Sequence, residues 1–224
     1  MKLFSYIKYF FYICFNWDIR IATRILAGEI RGEKKYGINT TGADELKGLE
    51  EKGIDITHAT IYMPASYELL EEIFIQLNRS AGKPTRHFLD LGCGKGRALC
   101  VAAHAGFNKV TGIDLSKELC EQAKENCSIT KKMVPSLEFL IINNDAFYFV
   151  IPDDVDCIFM FNPFDEIIMS GVLENILISL QQAPRKLAIA YVNPLHKSIF
   201  IKAGFSETYY YRKMKYLEVS VLSN

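Results

Sequence analysis

The sequence predicts an α/β domain, doubly wound around a mostly parallel sheet, and three observations carry that prediction. Apolar strand-like runs alternate with helical stretches from Pro84 onward, glycines crowd the first strand-to-helix turn, and 50% apolar against 23% charged residues suffices for a full core. Strands separated by helices require right-handed crossovers and a sheet covered on both faces. A chain of 224 residues suits one main domain with a decorated end better than two equal domains. The expected division is a helical and loop extension over residues 1–60 and the main domain over 61–224.

The elements follow in order. Met1 to Phe15 carries only Lys2 and Lys8 among aromatic and aliphatic residues, and the charge-free run Tyr9 to Trp17 is too short to span a bilayer. It also lacks the small-residue cleavage site of a signal peptide. Its two readings are a helix packed on the domain or on a second subunit, which is preferred, and an interfacial helix in peripheral contact with a membrane. Residues 28–58 are polar and dotted with glycines, which reads as loops and short helices. Leu69, Leu70, Ile73, Phe74 and Leu77 form a helical stripe that stops at the turn-rich Ser80 to Pro84.

Strands are expected at His87–Leu91, Lys109–Ile113, Leu137–Ile142, Asp156–Phe161 and Leu187–Val192. Helices are expected at Ala98–Ala105, from Ser116 to about Ile129, and at Ile167–Leu180. Ser116 is an N-cap candidate, although Leu119 denies it a capping box. Glu207–Arg212 and Tyr216–Val221 read as an antiparallel hairpin.

Charge and cysteine usage bound the partners. Lys plus Arg equals Asp plus Glu at 26 each, so no overall field holds the protein to a phosphate backbone or an anionic bilayer, and such a partner requires a local patch. The mixed aromatic and basic run Tyr209 to Tyr216 reads as part of the hairpin ahead of a nucleic-acid surface, leaving nucleic-acid methylation a minor option. Six scattered cysteines, with no C-x-x-C pair and no zinc-like histidine spacing, fit a reducing cytoplasm and predict no structural metal.

Ligands of open α/β sheets sit outside the carboxyl ends of the strands, so the loops there carry the chemistry. The first loop reads Asp90-Leu91-Gly92-Cys93-Gly94-Lys95-Gly96-Arg97. Its glycines expose backbone near a helix N-terminus. Two ligands compete for it, a nicotinamide dinucleotide and S-adenosylmethionine. Arg97 stands where the dinucleotide fingerprint needs its last glycine. Asp90 repels a pyrophosphate but attracts an ammonium and a sulfonium, by about 1 to 4 kcal/mol at contact depending on effective dielectric. Asp114, at the second strand's end, suits the two hydroxyls of a ribose. Asp145 with Ala146, after the third strand, suits an adenine edge, the carboxylate accepting from the exocyclic amine and the amide donating to a ring nitrogen. The plain alternative for Asp145 is a helix cap.

These residues resemble the class I S-adenosylmethionine-dependent methyltransferase superfamily, whose first motif is matched by Asp90 to Gly96. The resemblance spans about Tyr62 to Asn224. It implies a Rossmann-like seven-stranded sheet with an antiparallel last strand, bound S-adenosylmethionine, and a cofactor site of Asp90, Gly92, Cys93, Gly94, Gly96, Asp114, Leu115, Asp145, Ala146 and Asn162. Tyr62 to Tyr67 is similar to a segment before the first strand in seven-strand lysine methyltransferases of the histone and ATP-synthase-subunit types.

Asn162-Pro163-Phe164, after the fourth strand, is similar to the N/D-P-P-Y/F motif of amino and amide nitrogen methyltransferases, one proline short. In that motif the Asn oxygen and a proline carbonyl accept the nucleophile's N–H bonds, and the aromatic face stabilises charge growing on nitrogen. Asn162, Pro163 and Phe164 are therefore the catalytic candidates, and a protein lysine or another amine the expected acceptor. A lysine must first lose a proton, at roughly 4 to 5 kcal/mol at pH 7. Asp165 and Glu166, beside the motif, read as solvated surface acids. A nicotinamide-dependent oxidoreductase and a catalytically silent cofactor-binding module are the alternatives.

Overall fold

In a computed structural model the described residues are 2–16, 18–42, 63–79, 87–213 and 217–224. Three helices come first: α1 (Lys2–Asn16), α2 (Ile19–Tyr36) and α3 (Tyr67–Arg79). The alternating part follows as β1 (His87–Leu91), α4 (Arg97–His104), β2 (Lys109–Asp114), α5 (Lys117–Met133), β3 (Glu138–Asn143), a 3₁₀ turn over Ala146–Tyr148, β4 (Val155–Phe161), α6 (Glu166–Gln182) and β5 (Ala188–Val192). A short α7 (Lys197–Lys202) leads to β6 (Ser206–Lys213) and β7 (Leu217–Ser223).

All seven strands form one sheet in the order β3-β2-β1-β4-β5-β7-β6. The neighbours from β3 to β5 are parallel, and β7 is antiparallel to both β5 and β6. The Rossmann-like mixed sheet is thus present, and its antiparallel member is the last strand. Because strand order reverses at β1, the crevice opens between the carboxyl ends of β1 and β4.

Alternate residues of each strand face two separate cores. On one face Phe88, Phe159 and Val110 pack against α3, α4 and α5, where Phe74, Phe88 and Phe107 meet edge to face with centroids 5.3 to 5.7 Å apart. On the other, Leu89, Leu91, Ile158 and Met160 pack against α6 and α7. The central strand β1 is buried at every position, whereas the edge strand β3 is half exposed, as sheet-centre and sheet-edge strands require.

Caps account for the helix ends. Ser116 accepts from the Leu119 amide at 3.2 Å, as expected, and α2 stops at Gly37 in the left-handed region, φ 69°. At the amino end of the sheet, His87 bridges Asp154 at 2.9 Å and Thr111 at 2.8 Å. His87 is buried while Asp154 is exposed, and the cluster sits at the end of the sheet opposite the crevice.

One expectation fails. Residues 28–36, read as loops and short helices, instead continue the single long helix α2; residues 43–58 of the same stretch lie outside the described residues, as do the break at Ser80–Pro84 and the hairpin residues Met214–Tyr216. Gly28 and Gly32 each cost roughly 1 kcal/mol in a helix interior, which is why they read as breakers. Packing overrides that cost at Gly32, where a Cβ would lie 2.0 Å from the Tyr67 ring. The bare helix backbone there is the seat of that ring.

Candidate active site

The first strand-to-helix turn is held by its own amides. Gly92 and Cys93 donate to the Ile113 carbonyl at 2.9 Å each, while Gly94 donates to Asp114 Oδ2 at 2.8 Å. Gly92, Gly94 and Gly96 all take positive φ, a region open to glycine at little cost. Gly96 caps α4 against α5, where a Cβ would come within 3.1 to 3.2 Å of Ala123 Cβ and Cα. A Cβ on Gly92 would lie 2.9 Å from Pro163 Cβ, so the loops after β1 and β4 touch across the crevice.

A cavity opens beside this contact. Among its walls are the expected residues Asp90, Gly92, Cys93, Asp114, Leu115, Ala146, Pro163 and Phe164. Sequence reasoning missed Met63, Pro64, Ala65, Leu70, Arg97, Asn144, Phe159 and Phe161, which also line it. Four expected residues stand just outside. Gly94 and Gly96 shape the turn as described. Asp145 turns its Oδ1 to the Phe147 amide at 2.9 Å and caps the 3₁₀ turn, the plain alternative for it, and leaves Asn144 and Ala146 on the cavity wall. Asn162 sits at the tip of β4 in the left-handed region, φ 36°, with the Tyr191 hydroxyl 3.4 Å from its Oδ1.

Asp90 is 2% exposed, yet no hydrogen bond among the described residues reaches its carboxyl. Burial, reinforced by the nearby Asp114 charge, pushes its pKa well above the usual carboxylate range. Once ionised, a buried acid on a cavity wall is a receptor for a cation. Asp114 accepts from Gly94 through Oδ2 and from Ser116 through Oδ1, the latter at 2.9 Å. Burial pushes the Cys93 thiol far up, and the two carboxyls add to it; Cys93 is a wall group and no nucleophile. Asp165, read as a solvated acid, caps α6 through the Ile167 and Ile168 amides, each at 3.1 Å.

Arg97 is the largest departure from a plain glycine-loop site. It is buried and pairs with Glu29 of α2 through both terminal nitrogens, Nη1 at 2.8 Å to Oε1 and Nη2 to Oε2. Its Nε donates to Thr40 Oγ1 at 2.8 Å and Nη1 to the Ala65 carbonyl at 2.9 Å. The guanidinium lies 4.2 Å above the Tyr67 ring. Glu33, one turn on, accepts from Tyr6, from Thr41 Oγ1 and from the Thr40 and Thr41 amides at 2.5 to 2.7 Å. Burial opposes its charge, but these donors outweigh it and hold its pKa below the ordinary value. Lys95 of the glycine turn donates to the Thr41 carbonyl at 3.2 Å, and Asn126 of α5 ties Asn39 to Lys95. The N-terminal segment is therefore fastened onto the turn, and through Ala65 it sets one wall of the cavity. The only sequence signal for this was the Glu29, Gly32, Glu33, Tyr36 spacing, a single helix face.

Residues 88–182 match the family model described as a methyltransferase domain. Among solved structures, a magnesium protoporphyrin IX methyltransferase from Synechocystis PCC 6803 with bound S-adenosylmethionine has a TM-score of 0.53 at 15% identity, covering 70% of this chain and 78% of its own. A methyltransferase from Thiobacillus denitrificans in complex with S-adenosyl-L-homocysteine has a TM-score of 0.52 at 22% identity, covering 66% and 68%. An RNA methyltransferase from Salinibacter ruber, also with S-adenosyl-L-homocysteine, has a TM-score of 0.52 at 14% identity, covering 72% and 93%. At these identities the likeness is one of fold. No curated protein matches the sequence.

Proposed function

We propose that the protein, whose residues 88–182 match a methyltransferase-domain model, transfers the methyl group of S-adenosylmethionine to a nitrogen of its acceptor. The observation that carries the donor assignment is Asp90, a buried carboxyl on the cavity wall that no hydrogen bond among the described residues engages, beside a glycine turn where a Cβ at Gly92 would press on Pro163. The residues fit the donor. Asp90 would hold its cationic end, Asp114 the ribose hydroxyls, and Asn144 and Ala146 border the place for its base. When bound, S-adenosylmethionine supplies an electrophilic methyl on a positively charged sulfur.

The chain's own work is alignment and exclusion of water, since a methyl transfer with a neutral thioether leaving needs no strong acid or base. Pro163 rests on Gly92, which brings the loop after β4 to the edge of the donor cavity. Asn162, held left-handed with Tyr191 against its amide oxygen, offers acceptors for the N–H bonds of an incoming amine or amide. Phe164 supplies an aromatic wall that favours charge on that nitrogen. These features support a nitrogen acceptor, a protein lysine or another amine. Two of the structural relatives are named as a porphyrin methyltransferase and an RNA methyltransferase, so nucleic acid belongs among the acceptors tested. The buried Arg97 at the position of a dinucleotide glycine, together with the methyltransferase domain, counts against the nicotinamide reading.

Calorimetry with S-adenosylmethionine tests the donor, with micromolar binding expected and its loss in Asp114→Ala. No binding to the wild-type chain defeats the proposal. Incubation with radiolabelled donor and a cell extract, fractionated into protein, nucleic acid and small molecules, tests the acceptor. Label in an alkali-stable N-methyl product supports nitrogen, and label in an ester or ether refutes it. Tight donor binding with no label in any fraction selects the silent module.

A further inference from the structure

Helix α1 is apolar on both sides, and only one side is covered. Tyr9 and Ile13 are buried in a cluster with Ala22 of α2. On the opposite side Phe4, Ile7, Phe11 and Phe15 recur at three- and four-residue spacing, 75%, 47%, 53% and 86% exposed. Ile19, at the start of α2, extends the stripe at 64% exposed. Within the stripe the Phe11 and Phe15 rings lie against each other with centroids 6.4 Å apart, and Phe10 flanks Phe11 at 5.8 Å. A helix hydrophobic all round is ordinarily buried.

We propose that this stripe lies in the headgroup region of an anionic bilayer, with α1 parallel to the membrane plane. Charge selects the occupant. Residues 1–27 hold Lys2, Lys8, Arg20 and Arg24 against the single acid Asp18, which leaves 22 basic and 25 acidic residues for the rest of a chain with 26 of each. The patch is basic where the remainder is acidic, and α1 contains no acid at all. Two copies meeting through this face would set Lys8 against like charge with nothing on the helix to pair it. An anionic surface neutralises it. Length settles the orientation. Fifteen residues extend about 22 Å, short of the roughly 30 Å hydrocarbon core, and among the described residues no helix is long and apolar enough to cross a membrane. The face is fixed to the domain, because α1 packs on α2 and Tyr6 donates to Glu33.

Sedimentation of the full chain with phosphatidylcholine vesicles, with and without phosphatidylglycerol, tests this. Binding to the anionic vesicles that high salt reduces is expected. Phe11→Ser with Phe15→Ser should weaken it on the order of tenfold per ring, and Lys8→Gln by about fivefold. All three positions are exposed and lie outside the donor cavity, so circular dichroism and S-adenosylmethionine binding stay unchanged in every variant and separate this inference from the donor assignment. Three results overturn it: equal sedimentation with and without vesicles, unchanged binding after loss of both rings, or light scattering showing a dimer that the ring substitutions dissociate while vesicles do not bind.

Discussion

Replacing Glu29 by Ala leaves Arg97 buried without its counter-charge, and the structure sets the scale of the damage. The two side chains are 3% and 4% exposed, so the guanidinium can recover little hydration in place. It keeps Thr40, the Ala65 carbonyl and the face of Tyr67, all neutral partners. Breaking a buried pair by removing one member costs about 3 to 5 kcal/mol. For a chain of this size each kcal/mol lowers Tm by roughly 2 to 4 °C. Glu29→Ala should therefore melt roughly 6 to 20 °C lower, measured by scanning calorimetry with urea titration followed by circular dichroism. The companion variant Glu29→Met with Arg97→Met removes both charges and fills their volume. It should recover at least half of the loss, because replacing a whole pair by apolar groups is near neutral. A single substitution costing under about 1 kcal/mol, or a double variant no better than the single, would refute the view that this pair fastens α2 to the domain.

Other outcomes follow from the same geometry. Asp90→Asn should raise stability at neutral pH and weaken donor binding. The folded-state pKa of Asp90 is raised, so its contribution is intact below about pH 4 and is lost as pH climbs through the raised value. For the same reason donor affinity of the wild type should increase as pH rises through that value, with proton release seen by calorimetry in buffers of different ionisation enthalpy; a flat profile matching Asp90→Asn would sink the assignment. Gly92→Ala brings a Cβ to 2.9 Å from Pro163 at a φ of 81°, and should cost at least about 1 kcal/mol and cut turnover, read by melting and initial rates. Acid should loosen the fold in two stages, followed by circular dichroism. His87, lowered chiefly by burial, loses its contribution as pH falls from about 6.5. The hydrogen bonds of Lys109 and His87 hold Asp154 at about 2 against burial, and the donors around Glu33 lower it likewise, so both contributions are present above the unfolded carboxylate pKa near 4 and lost below it.

Local signals made the alternating part legible. Strand runs, the glycine turn and the Ser116 cap each depend on neighbours a few residues away, and the structure places them within a residue or two of expectation. The polar face of α2 depends on partners far along the chain. Arg97 and Glu29 are 68 residues apart, and Asn39 and Asn126 are 87 apart, distances at which periodicity carries nothing. Glycines misled for a related reason: Gly32 is expensive to a lone helix and becomes worthwhile only once Tyr67 is known to lie on it. Asp145 was legible as a polar strand-end residue but ambiguous between ligand and cap, because both uses ask for a short carboxylate next to a free amide.

The placement of Arg97 also constrains any attempt to retarget the protein to nicotinamide. Restoring the missing glycine there would complete the textual fingerprint, yet it would strip Glu29, Thr40 and the Ala65 carbonyl of their common partner in one stroke. The cavity wall that Ala65 and Arg97 help to form would come away with the segment that carries it. Exchange of ligand in this scaffold therefore calls for rebuilding the first two helices together with the loop.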